Sequence, residues 1–345
     1  MGKHSTASWL AGAAGFALAI STAMAEDAVH SPLTGNDVVV GAAKDAFIQF
    51  IQPGVHPYVA AGNEGFEEEA KLLGLTNAYI THSNFDAAAE VANIENAITK
   101  GAKAIIVQGV SSEGMVPAIE EANAAGICTV AVITGPGDKL DEVYPGMKAY
   151  VGWNEYDGGR YAGEALAEAM GGKGNVVIIQ GILASTSATA RQKGAEDVWK
   201  EKYPDITILA ARPADYDAAK ARSVMQDFVQ SFGDKINGAL VITNNMATAA
   251  ADVLVGTPLE GKVPIVSYGG QKDFIDYIRA GKTYATTPFA PKSEAAQALD
   301  LAVACINGDK APVYFSETDL PPVKVLKDHG YVIKPDNVDL FAPQW

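Results

Sequence analysis

The residues able to hold a small molecule sit in a set of short loops, each expected between a strand and the helix that follows it. The stretch 44–57 carries Lys44, Gln49, Gln52 and His56, with Tyr58 just beyond. Thr134 follows a later apolar run, and Trp153-Asn154-Glu155 opens another segment. Gly181 leads through Ser185, Thr186 and Ser187 to Arg191, and Thr243-Asn244-Asn245 and Tyr268-Gly269-Gly270-Gln271 complete the series. These are amides, hydroxyls, aromatics and two cations. Amides and arginine can donate paired hydrogen bonds to neighbouring oxygens. Aromatic faces can cover the C–H side of a ring. The mixture suits a polyhydroxyl ligand.

Catalytic and nucleotide signatures are weaker. Gly135-Pro136-Gly137 lacks a third glycine, and Pro136 disturbs a helix start, so it is a poor dinucleotide loop. Gly109 to Gly114 has phosphate-loop spacing, but Met115 stands where lysine is required. Ser111 is not flanked by two glycines as in a hydrolase elbow. His4, His30, His56, His82 and His329 form no i, i+4 metal pair. The expectation is a protein with no catalytic residues, no metal and no cofactor.

Composition narrows the class. The chain has 345 residues, 48% hydrophobic and 19% charged, enough to bury real cores over two domains of ordinary size. Its net charge of −15 argues against nucleic-acid binding and against docking on anionic lipid. Residues 1–25 read as a cleaved signal peptide: Lys3, an apolar run from Leu10 to Ile20, then Ala23-Met24-Ala25. Export follows as an expectation. Cys128 and Cys305 leave two readings open, one disulfide or two buried thiols.

The loops need a frame. Apolar strands are expected at 37–43, 77–81, 103–108 and 127–133, alternating with helices at 58–73, 86–99 and 113–125. The alternation pauses at 134–156 and restarts, with strands at 175–180, 206–211, 238–243, 263–268 and 283–287 and helices between them, ending in a helix at 292–306. Such repeats imply an α/β fold with parallel sheets covered on both faces. The number of units favours two sheets. A site belongs at the carboxyl ends of their strands.

In these loops the chain resembles the periplasmic sugar-binding proteins of the ribose-binding type, which serve ABC importers. The resemblance rests on His56-Pro57-Tyr58, on Asn154 to Gly163, and on Gly181 with Thr186-Ser187 and Arg191 to Gly194. It rests further on Arg212 to Asp217, Asn244 to Ala247, and Ser267 to Gly270. It implies two Rossmann-like lobes joined by a three-segment hinge, one of 36–152 plus 290–310, the other of 153–289 plus 311–345. It implies that Tyr58 stacks on a ligand, that Asn154 bonds to it, and that Arg191 reaches its oxygens. Thr243, Asn244, Gly269, Phe289 and Thr134 take positions the family uses for binding. Lys44 resembles relatives for other sugars and for autoinducer-2. Trp153, Gln49 and Gln271 complete the candidate set. Two acids of the ribose pattern are missing, at Ile133 and Gly269, so a smaller, less hydroxylated or partly anionic ligand stays open.

The expected role is a monomeric periplasmic solute-binding component that closes on a sugar, sugar alcohol or related polyol and delivers it to an ABC permease. A sensor protein presenting a small signal molecule to a membrane receptor is the competing expectation, and a secreted hydrolase the remote one.

Overall fold

Two parallel sheets lie side by side, each sandwiched by helices, in the computed structural model, which describes residues 28–137 and 143–345. The expected signal peptide, 1–25, lies outside the described residues. A short antiparallel ribbon comes first, β1 (Ala28–His30) with β2 (Asp37–Val39). The first lobe then alternates β3 (Ile48–Gln52), α1 (Pro57–Leu72), β4 (Ala78–His82), α2 (Ala87–Thr99), β5 (Ala104–Val107), α3 (Val116–Ala124), β6 (Cys128–Val132) and β7 (Ala149–Gly152).

The chain crosses to the second lobe through α4 (Glu155–Ala169), β8 (Gly174–Gln180), α5 (Thr186–Lys202), β9 (Ile206–Pro213), α6 (Ala218–Phe232) and β10 (Gly238–Val241). α7 (Asn244–Leu254), β11 (Ile265–Gly269), α8 (Lys272–Arg279) and β12 (Ala285–Pro288) complete that sheet. The chain returns with α9 (Pro291–Asn307) and β13 (Tyr314–Ser316), then leaves again through α10 (Pro321–Lys324). Strand order is β13-β7-β6-β5-β3-β4 in one sheet and β12-β11-β10-β8-β9 in the other.

The expected first strand is corrected. Asp37–Val39 is only the ribbon strand, and Gly41–Ala43 is a 3₁₀ turn. The first strand of the large sheet is Ile48–Gln52, inside the segment 44–57 that the sequence pattern makes a loop. Ile48, Phe50 and Ile51 are fully buried, whereas Val38 to Val40 are followed at once by Gly-Ala-Ala, which cannot sustain a core strand. Two glutamines disguised the strand as polar. Tyr314–Ser316, expected with the second unit, pairs in parallel with β7 at the edge of the first sheet.

Cys128 on β6 and Cys305 on α9 are disulfide-bonded, with Cα atoms 6.1 Å apart. The bond ties two segments of the first lobe separated by 177 residues, a span that contains the whole second sheet.

Candidate functional site

The carboxyl ends of both sheets open into one cleft of about 710 Å³ between the lobes. Tyr58 and His56 come from the start of α1, Phe85 from the end of β4, Gln108 to Val110 from β5, and Ile133-Thr134 from β6. The second lobe contributes Ile182, Ser185, Ser187 and Arg191 after β8, Tyr216 after β9, Thr243 after β10, and Tyr268 with Gly269 at the end of β11. Phe289 lies at the second crossover, and Trp345 reaches in from the tail, anchored by its carbonyl accepting the Lys272 N–H at 2.7 Å.

Arg191 is the central cation, and it is not free. Its Nε donates to Glu155 Oε2 at 2.5 Å and its Nη2 to Glu155 Oε1 at 2.9 Å, with both side chains at most one-tenth exposed. Burial opposes the guanidinium charge, but the carboxylate's field and hydrogen bonds prevail and raise its pKa. Glu196 and Asp197, further along α5, take Gln192 and Lys193 instead. Glu155 reaches Arg191 because α4 and α5 nearly touch. A Cβ on Gly159 would lie 2.2 Å from the Arg191 carbonyl, and one on Gly194 would lie 2.0 Å from that of Tyr156. The guanidinium also stacks over Phe289, 4.7 Å from its centroid, and over Tyr268 at 5.5 Å.

Tyr58 is fixed from behind. Pro57 at the first helical position and the His56 ring, whose Nδ1 accepts the Tyr58 N–H at 3.3 Å, start α1. The Tyr58 hydroxyl donates to Glu294, so the cleft receives the ring rather than its proton. Glu294 and Glu317 are fully buried, bond to each other, and share the Ala290 N–H. Burial pushes both carboxyls up, and Glu294 adds to the shift of Glu317.

His56 stays neutral. Burial lowers its pKa to about 4; the hydrogen bond to Asn245 opposes this and the Arg191 charge reinforces it. Its Nε2 lies 3.2 Å from Asn245 Oδ1, a link from one lobe to the other. Ile133 has φ 59°, a costly conformation for a β-branched residue. It is held there by its N–H to the Val151 carbonyl and by the Tyr150 hydroxyl on its own carbonyl.

Of the residues singled out from the sequence, Tyr58, Thr134, Arg191, Thr243, Gly269 and Phe289 line the cleft. The others are corrected. Lys44 precedes β3, so it lies at the amino end of the sheet, exposed, with its carbonyl accepting the Thr76 N–H. Gln49 lies in β3, and its amide donates to the Tyr79 carbonyl at 3.0 Å. Trp153 is buried against Tyr161 and Tyr331. Asn154 caps α4, accepting from the Tyr156 and Asp157 N–H groups. Asn244 is buried under Gly269, donating to Thr286 and accepting the Gln271 N–H; Gln271 stands at the N-cap position of α8, and its side chain makes no capping bond. Trp153, Asn154, Asn244 and Gln271 stand at the carboxyl ends of the strands, as expected, but none of them lines the cleft.

The sequence reading gave no binding role to Phe85, Gln108, Tyr216 or Trp345, and named Ser185, Ser187, Tyr268 and Glu155 only as parts of its loops. A signal existed for two of them. Asn84-Phe85-Asp86-Ala87-Ala88 and Asp215-Tyr216-Asp217-Ala218-Ala219 are the same device in the two lobes, each followed by a helix that the aspartate after the aromatic caps. Among the described residues no group of acidic, histidine or cysteine side chains is arranged to hold a metal ion, and no helix is long and apolar enough to cross a membrane.

The sequence pattern of the family described as periplasmic binding protein domain matches residues 47–310. The chain belongs to this family. It is 29% identical over 283 residues to a xylitol-binding protein of Mycolicibacterium smegmatis, covering 82% of this chain and 75% of that one. It is 27% identical to the ribose import binding protein of Salmonella typhimurium, covering 78% and 87%. Among solved structures, a periplasmic solute-binding protein of an ABC transporter from Actinobacillus succinogenes, with bound D-allose, is 29% identical with a TM-score of 0.73, covering 86% of this chain and 100% of that one. An arabinose-binding component from Shewanella shares the fold at 22% identity and a TM-score of 0.74, covering 85% and 93%. Members of this family are periplasmic solute-binding proteins, and this chain has two parallel sheets between which it crosses three times.

Proposed function

We propose that this protein is the periplasmic solute-binding component of an ABC importer and that it captures a sugar, sugar alcohol or related small polyol without altering it. The observation that carries this is the origin of the cleft walls. His56, Tyr58, Phe85 and Gln108 belong to one lobe, and Arg191, Tyr216, Thr243 and Tyr268 to the other. A solute in the cleft touches both sets only when the lobes are closed, so its differential affinity shifts the population to the closed form. The lobes pivot on the three crossovers near 153, 289 and 317. The closed form then docks, as a monomer, on its permease in the membrane. The N-terminal 25 residues direct export and are cleaved. No polar group lining the cleft is arranged as a nucleophile with its base, which supports a binding rather than a catalytic role.

The names of the relatives, for ribose, xylitol and D-allose, favour the same ligand class. A thermal-shift screen of pentoses, hexoses, polyols and nucleotides tests the reading. A raised melting temperature with sugars or polyols, and compaction on scattering at one ligand per chain, is expected. A response to nucleotides alone, or turnover of the bound solute, would overturn it.

A further inference from the structure

The cleft withholds the strongest acceptors and leaves strong donors. No aspartate or glutamate is among its lining residues. The acids nearest to it are already engaged: Glu155 on Arg191, and Glu294 on the Tyr58 hydroxyl. Two hydroxyls of the wall spend their hydrogens on the protein, and their oxygens remain only as neutral acceptors, weaker than a carboxylate. Tyr216 donates to Ser185 and Thr243 to Asn245, while both His56 nitrogens are occupied, by Asn245 and the Tyr58 N–H. Arg191 spends its Nε and one Nη2 hydrogen on Glu155, which leaves three of its five N–H donors. The buried Trp345 Nε1 has no hydrogen-bond partner. A free sugar offers many hydroxyl hydrogens and is best held by carboxylates, each of which takes two. This cleft answers instead to acceptor oxygens and to apolar faces, which the rings of Tyr58, Phe85, Tyr216, Tyr268, Phe289 and Trp345 would cover. The guanidinium charge is cancelled in place, so an anion gains no unpaired cation and would set its own charge beside Glu155.

We infer that the site selects an uncharged sugar ring with few free hydroxyls, of the deoxy or O-alkylated class, and that Glu155 is the positioning residue that excludes acidic sugars. The inference rests on the proposed role as a sugar-type solute-binding protein. The test is calorimetric titration of the full chain with matched sets built on several pentoses and hexoses. Each set holds the parent sugar, its methyl glycoside, its deoxy form and, for the hexoses, the uronate. Within the set that binds, the deoxy or methyl member should bind at least about tenfold more tightly than its parent, and the uronate not measurably. A parent sugar or uronate that binds as well or better overturns the inference while leaving the solute-binding role standing. Failure of every set overturns the inference, while the polyols of the thermal-shift screen decide the solute-binding role separately. In a second arm Glu155→Gln, checked for folding by circular dichroism, should lose the discrimination and gain measurable uronate binding. A folded variant that still rejects the uronate removes Glu155 from the selection.

Discussion

Phe85 and Tyr216 face each other across the cleft with ring centroids 6.0 Å apart, and both stand on left-handed backbone, at φ 58° and 62°. Each ends an edge strand, β4 in one sheet and β9 in the other, and the crossovers lie toward the opposite edges. The pair therefore spans the gap farthest from the pivot, where closure moves atoms most. Such a pair contributes about 0.5–1.5 kcal/mol beyond its burial. In a double-mutant cycle, Phe85→Leu and Tyr216→Leu should show coupling of about that size in the release rate of a bound sugar, measured by stopped-flow fluorescence. Strictly additive effects would mean that the rings do not meet in the closed form.

Removing Arg191 should damage more than binding. Arg191→Ala leaves the Glu155 carboxylate buried with no cation, which costs roughly 3–5 kcal/mol when a buried pair is broken. The expected outcome is a markedly lower melting temperature together with lost affinity. The double variant Arg191→Met with Glu155→Leu should regain most of the stability and none of the affinity. Thermal melts and titrations on both variants separate the two roles.

The link between Cys128 and Cys305 closes a loop of 177 residues. In the chain-entropy account a loop of that length stabilises the fold by about 5 kcal/mol, toward the upper end of what such bonds deliver. Cys305→Ser, or reduction of the wild type, should lower the chemical denaturation midpoint with little effect on solute affinity, because neither cysteine lines the cleft. An unchanged midpoint would show that packing of α9 alone holds the lobe.

His56 gives a pH signature with a definite sign. Its folded pKa, about 4, lies below its unfolded value near 6.5, so its contribution is present above pH 6.5 and is lost as pH falls toward 4. The difference corresponds to about 3 kcal/mol. Glu90, which accepts the Val110 N–H beside the cleft, acts in the opposite sense. Burial raises its carboxyl to about 7, and stability is lost as pH rises from 4.5 through 7. The two nearly offset each other in the wild type. Comparing wild type with His56→Gln exposes the histidine: the stability difference should move against the wild type by about 2–3 kcal/mol between pH 7 and pH 4.5. A pH-independent difference would show that His56 titrates normally.

The alternation of apolar runs with helical periods was readable from sequence because buried parallel strands are continuous hydrophobic stretches. β5, β6, β8 and β11 stand within a few residues of where that pattern puts them. β3 was not readable because Gln49 and Gln52 interrupt its run, and their burial depends on neighbours that no local window contains. β13 is a three-residue edge strand whose position comes from β7 alone. For the site, the loops were legible but not the side chains. Asn154 is a polar residue at a helix start, and a cap and a ligand contact have the same local signature. Trp345 carries no local signal at all: its place follows from the path of the tail across the second lobe.

The first lobe depends on α9, whose sequence follows all of the second sheet, and α9 packs on α1, β5, β6 and β7. On a ribosome or a translocon, where residues emerge in order, strands β3 to β7 must wait for nearly 140 further residues before their covering helix exists. The second sheet has no comparable delay, since every strand and nearly every helix it needs arrives in one stretch. Vectorial synthesis thus favours completion of the later lobe first, with the joining of Cys128 to Cys305 by an oxidant of the exported compartment as the event that seals the earlier one.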